Sequence, residues 1–183
     1  MDNDEHLKYP IGKQEQQQYA DKAFNPQLKQ QLLLEIKMLP NTLEIVIQNL
    51  DESQLQTPYR KGGWTVNQLV HHLADSHINA YCRFKYGLTE NEPVIKTYDQ
   101  DDWSKLPDNA LPVNISVTLL HALHARWFSL LNAIIDKDWS RTIFHPELKK
   151  NISLWELLKM YAWHGKHHVA QIMHLKEKNN WDI

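Results

Sequence analysis

Two histidines near the carboxyl end of the chain have the spacing of two ligands to one metal ion. His164 and His168 lie four residues apart in the segment WHGKHH. On an α-helix this spacing places both imidazoles on one face, where they can bind a single ion. The apolar stripe that runs from Leu154 through Leu158 and Tyr161 continues onto that face. The pair is therefore predicted to point into the core.

A third histidine, His72, is predicted to face the same interior from another helix. It follows Leu69 by three residues and lies on the inner edge of an apolar stripe. Helical bundles build metal sites from inward-pointing side chains of facing helices, so His72, His164 and His168 form a candidate ligand set. Structural zinc sites normally have four protein ligands, whereas three leave a position open for water or substrate. The set therefore favours an enzyme.

Ordinary buried histidines are the alternative interpretation. An unsatisfied buried polar group costs about 1–3 kcal/mol, and hydrogen bonds can remove that cost as well as a metal ion can. The residues alone leave these two interpretations evenly balanced. His71 and His167 adjoin the cluster, but their helical phase places them off the inner face, at the surface or behind the ligands. The role of His77 stays open.

Further side chains are candidates for the site. Asp75 lies one turn from His72 and is a candidate general base or partner of an imidazole, although a solvated surface acid is equally compatible with its position. His124, Trp127 and Tyr161 fall on or beside apolar stripes and are predicted to line the pocket.

The elements that position these residues are predicted to be four helices. Only five glycines occur in the chain, too few for a fold of many short strands and turns. A first apolar stripe runs over 28–50 and contains Pro40, where we expect a kink or a break. The second and fourth helices open with capping boxes at Thr65 and Ser153, and the third covers about 114–134. The chain is thus predicted to be all-α.

The connections between these helices predict the topology. The stretch 87–114 contains three prolines and no periodicity, which indicates a long crossover between the second and third helices. Such a crossover in a four-helix bundle allows those two helices to run parallel. The segment 141–152 is a candidate for a small hairpin before the fourth helix.

Composition limits the class of protein and its partners. A length of 183 residues suits a single domain, 1–183, with a substantial core. With 20 basic and 22 acidic residues the net charge is -2, so a small-molecule substrate is expected rather than nucleic acid or a membrane surface. Cys82 is the only cysteine, and neither a secretory signal nor a membrane span is evident, which predicts a cytoplasmic protein.

Several segments together resemble a known family. They are YPIGK, TPYRKGGWTVNQLVHHLADSH, RFKYGLTENEPVIKTYDQDDW, LHALHARW, FHPELKK and YAWHGKHHVAQI. In this order, from about Tyr9 to Ile172, they resemble the DinB-like superfamily, specifically its YfiT-type metal-dependent hydrolases. The resemblance implies a four-helix bundle, often a homodimer, with zinc or nickel bound by three histidines and a water. The matching positions are His72, His164 and His168, whereas Gln171 replaces a histidine that some relatives carry.

The resemblance also leaves two chemistries open. The first hypothesis is a metal-dependent hydrolase of a small molecule, in which the ion activates water. The second is a thiol S-transferase, because members of this superfamily are thought to transfer low-molecular-weight thiols such as bacillithiol onto electrophiles. A non-enzymatic metal-binding or ligand-binding module is the third. The three histidines fit each of them.

Overall fold

The computed structural model describes residues 5–181, which form seven helices and one hairpin. The long helices are those predicted from the sequence, and three short 3-10 turns and three short helices lie before or between them. The helices are α1 (Glu5–Lys8), α2 (Pro26–Ile47), α3 (Glu52–Leu55), α4 (Val66–Thr89), α5 (Gln100–Trp103), α6 (Val113–Asn132) and α7 (Leu154–Lys178), and the strands are β1 (Thr142–His145) and β2 (Lys150–Ser153).

Contacts between side chains show that α4 and α6 run parallel, as the long crossover allows. His71 on α4 contacts Ser116 on α6, and His77 contacts His124, so residue numbers rise together along both helices. The crossover, residues 90–112, contains α5 and returns the chain to the end of the bundle at which α4 began. This is the connection that the loss of periodicity predicted.

The same reasoning orients the remaining helices. Helix α7 is antiparallel to α4, because His72 contacts His164 whereas Arg83 contacts Tyr161. Helix α2 packs on α7 and α6, and each of the four long helices therefore has two neighbours in the order α2, α6, α4, α7. Helix α7 approaches α2 closely at Gly165, where an added Cβ would lie 2.6 Å from Leu39 Cδ2.

Capping side chains begin the helices where the sequence predicts. Thr65 and Gln68 form a reciprocal capping box at α4, and Ser153 and Glu156 form another at α7. Each pair satisfies two backbone N–H groups that the first helical turn leaves without partners. These caps fix the phase of the two helices that carry the histidines.

Pro40 does not break α2, so of the two expected outcomes, a kink or a break, the break is wrong. The helix continues from Pro26 to Ile47, because buried residues on both sides of Pro40 pack into the bundle. A proline has no backbone N–H, so the carbonyl of Ile36, four residues earlier, loses its usual helical donor. The imidazole of His124 takes that place, with Nδ1 at 2.6 Å from the Ile36 oxygen.

The predicted hairpin is present and ties down the crossover. Strands β1 and β2 pair in antiparallel register, and Phe144 exchanges backbone hydrogen bonds with Pro93 and Ile95 of the crossover, at 2.9 and 3.1 Å. Further along, the indole of Trp64 donates to Asp101 Oδ1 at 3.1 Å. The crossover is thus fixed at two points, by the hairpin near the end of α4 and by Trp64 just before its start.

The apolar core has two parts, and the histidines lie between them. One cluster is built around Trp127, Trp139 and Phe84, and the other around Leu69, Leu43 and Ile172. Along each long helix the change from one cluster to the other falls at the level of the histidine layer. Between residues 5 and 181, no helix combines the length and hydropathy needed to cross a lipid bilayer.

Candidate metal centre

Three imidazoles from α4 and α7 converge inside the bundle. Nε2 of His164 lies 3.2 Å from Nε2 of His72 and 3.2 Å from Nε2 of His168. One nitrogen from each ring falls within 4.8 Å of the others. Ligand nitrogens that surround one ion at about 2.0–2.1 Å stand at comparable separations, so this donor set fits a divalent metal.

A chain of hydrogen bonds determines which nitrogen of His164 carries the proton. The Ile36 carbonyl can only accept, so His124 holds its proton on Nδ1 and exposes a bare Nε2. That nitrogen is 2.9 Å from Nδ1 of His77, which must therefore donate. Nε2 of His77 is then an acceptor, 3.3 Å from Nδ1 of His164. The proton of His164 is thereby held on Nδ1, and the lone pair of its Nε2 points to the centre.

Gln171 performs the same task for His168. Nδ1 of His168 donates to Oε1 of Gln171 at 2.8 Å, since the amide nitrogen of Gln171 faces Lys8 and His167 instead. Nε2 of His168 is then a bare acceptor. Partners of this kind fix the tautomer and the orientation of metal-binding imidazoles.

Electrostatics keep the rings neutral and make them effective ligands. Burial lowers the pKa of His168 to about 4, although the hydrogen bond to Gln171 opposes the shift. Burial and the neighbouring imidazoles also lower the pKa values of His72 and His164. Two bare lone pairs therefore face each other 3.2 Å apart on His164 and His168. They repel each other, and a cation between them removes that repulsion.

Comparison with known proteins places the chain in a family. The DinB superfamily model matches residues 35–172. The chain belongs to the DinB superfamily. It is 45% identical over 175 residues to two proteins provisionally named metal-dependent hydrolases, one from Bacillus mycoides (strain KBAB4) and one from Bacillus cereus (strain 03BB102). Each alignment covers 96% of this chain and 98% of the relative.

A solved structure of similar sequence has the same fold as this DinB-superfamily chain. It is that of YfiT from Bacillus subtilis, likewise provisionally described as a metal-dependent hydrolase, with an unusual four-helix bundle topology. The two chains superpose with a TM-score of 0.91 at 40% sequence identity, covering 97% of this chain and 99% of YfiT. The predicted family and fold class are confirmed.

Two cavities of this DinB-superfamily protein meet at the histidines. The first has a volume of about 560 Å³ and the second about 400 Å³. His72 and His164 border both of them, and so do Gln100 and Asp101 of the crossover. The first cavity is also lined by Ser76, Arg83, Tyr98, His145 and Tyr161, and the second by Tyr9, Arg60, Trp64, Trp163 and His168.

Two of the three predicted pocket residues require correction. Tyr161 lines the first cavity, as predicted. His124 and Trp127 line neither cavity, because both are almost fully buried one layer behind, against His77. Helical periodicity shows that a side chain points inward, but it does not separate a cavity wall from the layer that supports it.

Of the two flanking histidines, His167 takes one of its two predicted positions, whereas His71 differs from a surface position. His71 is off the inner face, yet it is buried rather than exposed, with Nδ1 2.7 Å from Ser116 Oγ and Nε2 2.9 Å from the Leu111 carbonyl. The start of α6 covers it, which a sequence pattern on α4 alone does not reveal. His167 lies behind the ligands, stacked on Trp163 with ring centroids 4.6 Å apart.

Asp75 does not orient an imidazole, which was one of its two predicted roles, and its role as general base stays a prediction. Among residues 5–181 no hydrogen bond joins its carboxylate to a histidine, and it borders neither cavity. Burial and the charge of Asp108 raise its pKa to about 6. The orienting role that Asp75 was considered for belongs instead to His77 and Gln171.

Sequence reasoning did not predict the roles of three residues of this site. Gln171 and His77 are the partners of two imidazoles, and Gln171 had a detectable signal, an amide three residues after His168 on the same face. Arg83 borders the first cavity, and its signal was a charge between Ala80 and Phe84 on the inner stripe of α4.

Proposed function

We propose that this protein is a divalent-metal-dependent hydrolase of a small molecule, with His72, His164 and His168 as the metal ligands. The observation that carries this proposal is the convergence of three imidazole nitrogens within 4.8 Å. The provisional names of its relatives support the same activity. Imidazole suits both zinc and nickel, and we propose one of these two as the native ion.

The residues of the site have separable tasks in this reaction. An ion held there would act as a Lewis acid and activate water at neutral pH. His77 and Gln171 hold protons on the outer nitrogens of His164 and His168, which keeps both inner lone pairs free. The indole of Trp64 packs against His72, with ring centroids 4.6 Å apart, and restricts its orientation. The first cavity, about 560 Å³, is large enough for a small substrate.

Metal content and hydrolysis test this proposal together. His168→Ala should lose most of the bound metal and the hydrolysis of an ester and amide panel. His121→Ala is the matched control, since His121 is partly exposed and pairs with Glu44 away from the trio. Elemental analysis of protein purified without added metal identifies the ion. Equal metal content in both variants would rule out the ligand assignment.

The second candidate function is transfer of a low-molecular-weight thiol to an electrophile. Its support is the pair of cavities that reach His72 and His164 from two sides, which offers separate space for two reactants. A conjugate formed from a thiol and a generic electrophile, in an amount that follows metal content, would favour transfer. Ester or amide cleavage that needs no thiol would favour hydrolysis.

We also propose a homodimer in the cytoplasm. Support for the dimer is an exposed apolar patch on α2 and α7, formed by Leu34, Met38 and Met173. A single, half-buried cysteine, Cys82, agrees with a reducing compartment. The molar mass in solution, measured by light scattering for the natural chain and for Met38→Glu, tests the dimer. A monomer for both would overturn it.

A further inference from the structure

Arg83 is a buried cation at the wall of the first cavity. Its relative exposure is 9%, and it lies on the inner side of α4 between two buried residues, Ala80 and Phe84. Nη1 donates to the hydroxyl of Tyr161 at 2.8 Å, and Nη2 donates to the carbonyl of Lys96 at 3.4 Å. Nε is buried without any hydrogen-bond partner.

The charge of this guanidinium has no protein counter-ion. No carboxylate lies within salt-bridge distance of Arg83 in the part of the chain that the structure describes. A guanidinium does not give up its proton in proteins, and both of its partners are neutral. Burying an unpaired charge is strongly unfavourable, so a group of this kind persists where it meets an anion from outside.

The acids that border the same cavity are engaged elsewhere or exposed. Asp99 caps α5 by accepting from two backbone N–H groups, and Asp101 accepts from the indole of Trp64. Glu147 is exposed. None of the three neutralises Arg83, which leaves the part of the cavity wall around it positive.

Arg83 lies near the histidine centre, in the wall of the same cavity. The Tyr161 hydroxyl accepts a hydrogen bond from its guanidinium at 2.8 Å, and the Tyr161 ring centroid lies 6.1 Å from that of His164. Arg83, Tyr161 and His164 all border the first cavity, and so does His72. One small molecule can therefore contact the histidine centre at one end and the guanidinium at the other.

We propose that Arg83 binds a carboxylate group of the substrate, so that the substrate class is that of small carboxylic acids carrying a hydrolysable bond. The planar fork of N–H donors on a guanidinium matches the two oxygens of a carboxylate. The unpartnered Nε–H supplies one arm of that fork. This inference rests on the proposed hydrolase function for the reacting bond, whereas the carboxylate site itself needs only Arg83.

Binding to metal-stripped protein tests the site without any turnover. Succinate is titrated at constant ionic strength while the Nε–H signal of Arg83, identified by its loss in Arg83→Lys, is followed by NMR. We expect a saturable shift of this signal with succinate and no shift with succinamide, the uncharged diamide of the same length. Arg83→Gln should weaken succinate binding at least tenfold. Arg126→Gln, at an exposed arginine on α6, is the control and should bind normally.

Each outcome of these titrations has one meaning. Equal shifts with succinate and succinamide, or equal weakening in the Arg126→Gln control, would overturn the proposal. Tighter binding of methyl phosphate than of succinate would overturn the assignment to carboxylates. If Arg83→Gln does not fold, the shift in the natural chain still decides.

Turnover then separates this proposal from the hydrolase function on which it rests. Matched esters with and without a distal carboxylate are compared in metal-loaded protein, and Arg83→Lys should raise KM for the carboxylate ester alone. Succinate binding without hydrolysis of any ester would contradict the hydrolase function but would still support the carboxylate site.

Discussion

His124 donates a hydrogen bond to the backbone carbonyl of Ile36, which Pro40 deprives of its usual helical donor. A proline in α2 thus sets the tautomer of an imidazole on α6. Through His77 on α4, the same constraint reaches His164 on α7. Every long helix of the bundle contributes to the orientation of one proposed metal ligand.

Replacing His77 tests this chain of hydrogen bonds. His77→Leu removes the acceptor for Nδ1 of His164, and loss of such a partner typically weakens metal binding about 10–100-fold. His77→Gln keeps an acceptor oxygen and should recover much of the affinity. Competition with a chromogenic chelator measures both. The same affinity for the two variants would show that the hydrogen bond does not matter.

Gln171 offers an independent test on the other ligand of α7. Gln171→Leu leaves Nδ1 of His168 without an acceptor and should weaken metal binding by about tenfold or more. Gln171→Glu retains a carboxyl oxygen at that place and should bind metal at least as well as the natural chain. The idea fails if the leucine variant keeps full affinity in the chelator competition.

Asp75 predicts a pH dependence of stability. Burial raises the pKa of Asp75 in the folded protein from 3.8 to about 6. The contribution of this carboxyl to the free energy of unfolding is therefore fully present below pH 3.8, and it is lost as the pH rises through 6. Asp75→Asn should therefore be more stable than the natural chain at pH 8, by about 1 kcal/mol after allowance for partial exposure. The difference should vanish near pH 4.

Urea unfolding of both proteins at pH 4, 6 and 8 measures this effect. Hydrolysis by Asp75→Asn should stay close to that of the natural chain, because Asp75 borders neither cavity. A large loss of activity in a folded Asp75→Asn protein would instead support Asp75 as general base.

Gly165 tests the close approach of α7 to α2. In Gly165→Ala the new Cβ would lie 2.6 Å from Leu39 Cδ2, inside van der Waals contact. Overpacking costs about 1–3 kcal/mol, which outweighs the gain of roughly 0.5–1 kcal/mol from alanine in a helix. The variant should unfold at lower urea. In a Leu39→Val background the same substitution should cost less, and an unchanged cost would contradict this packing account.

Helical periodicity was sufficient to predict the four long helices, their caps and the inward face of His72, His164 and His168. These features depend on residues close together in the sequence. The structure brings the three rings together, and their role as metal ligands stays a prediction. The hydrogen-bond partners that orient the ligands could not be predicted from the sequence, because the bond between His124 and Ile36 joins residues 88 positions apart. Arg83 was visible as a charge on an apolar stripe, but its missing counter-ion appears only in three dimensions.

Gln100 and Asp101 have a consequence for the size of molecule that the protein can accept. Since these two residues border both cavities, as His72 and His164 do, an outward displacement of α5 would join the two cavities into one groove beside the histidines. Arg83 would then stand on one side of the centre and Arg60 on the other. A molecule longer than either cavity would need that displacement, so selection by length would depend on the Trp64 to Asp101 hydrogen bond that fixes α5.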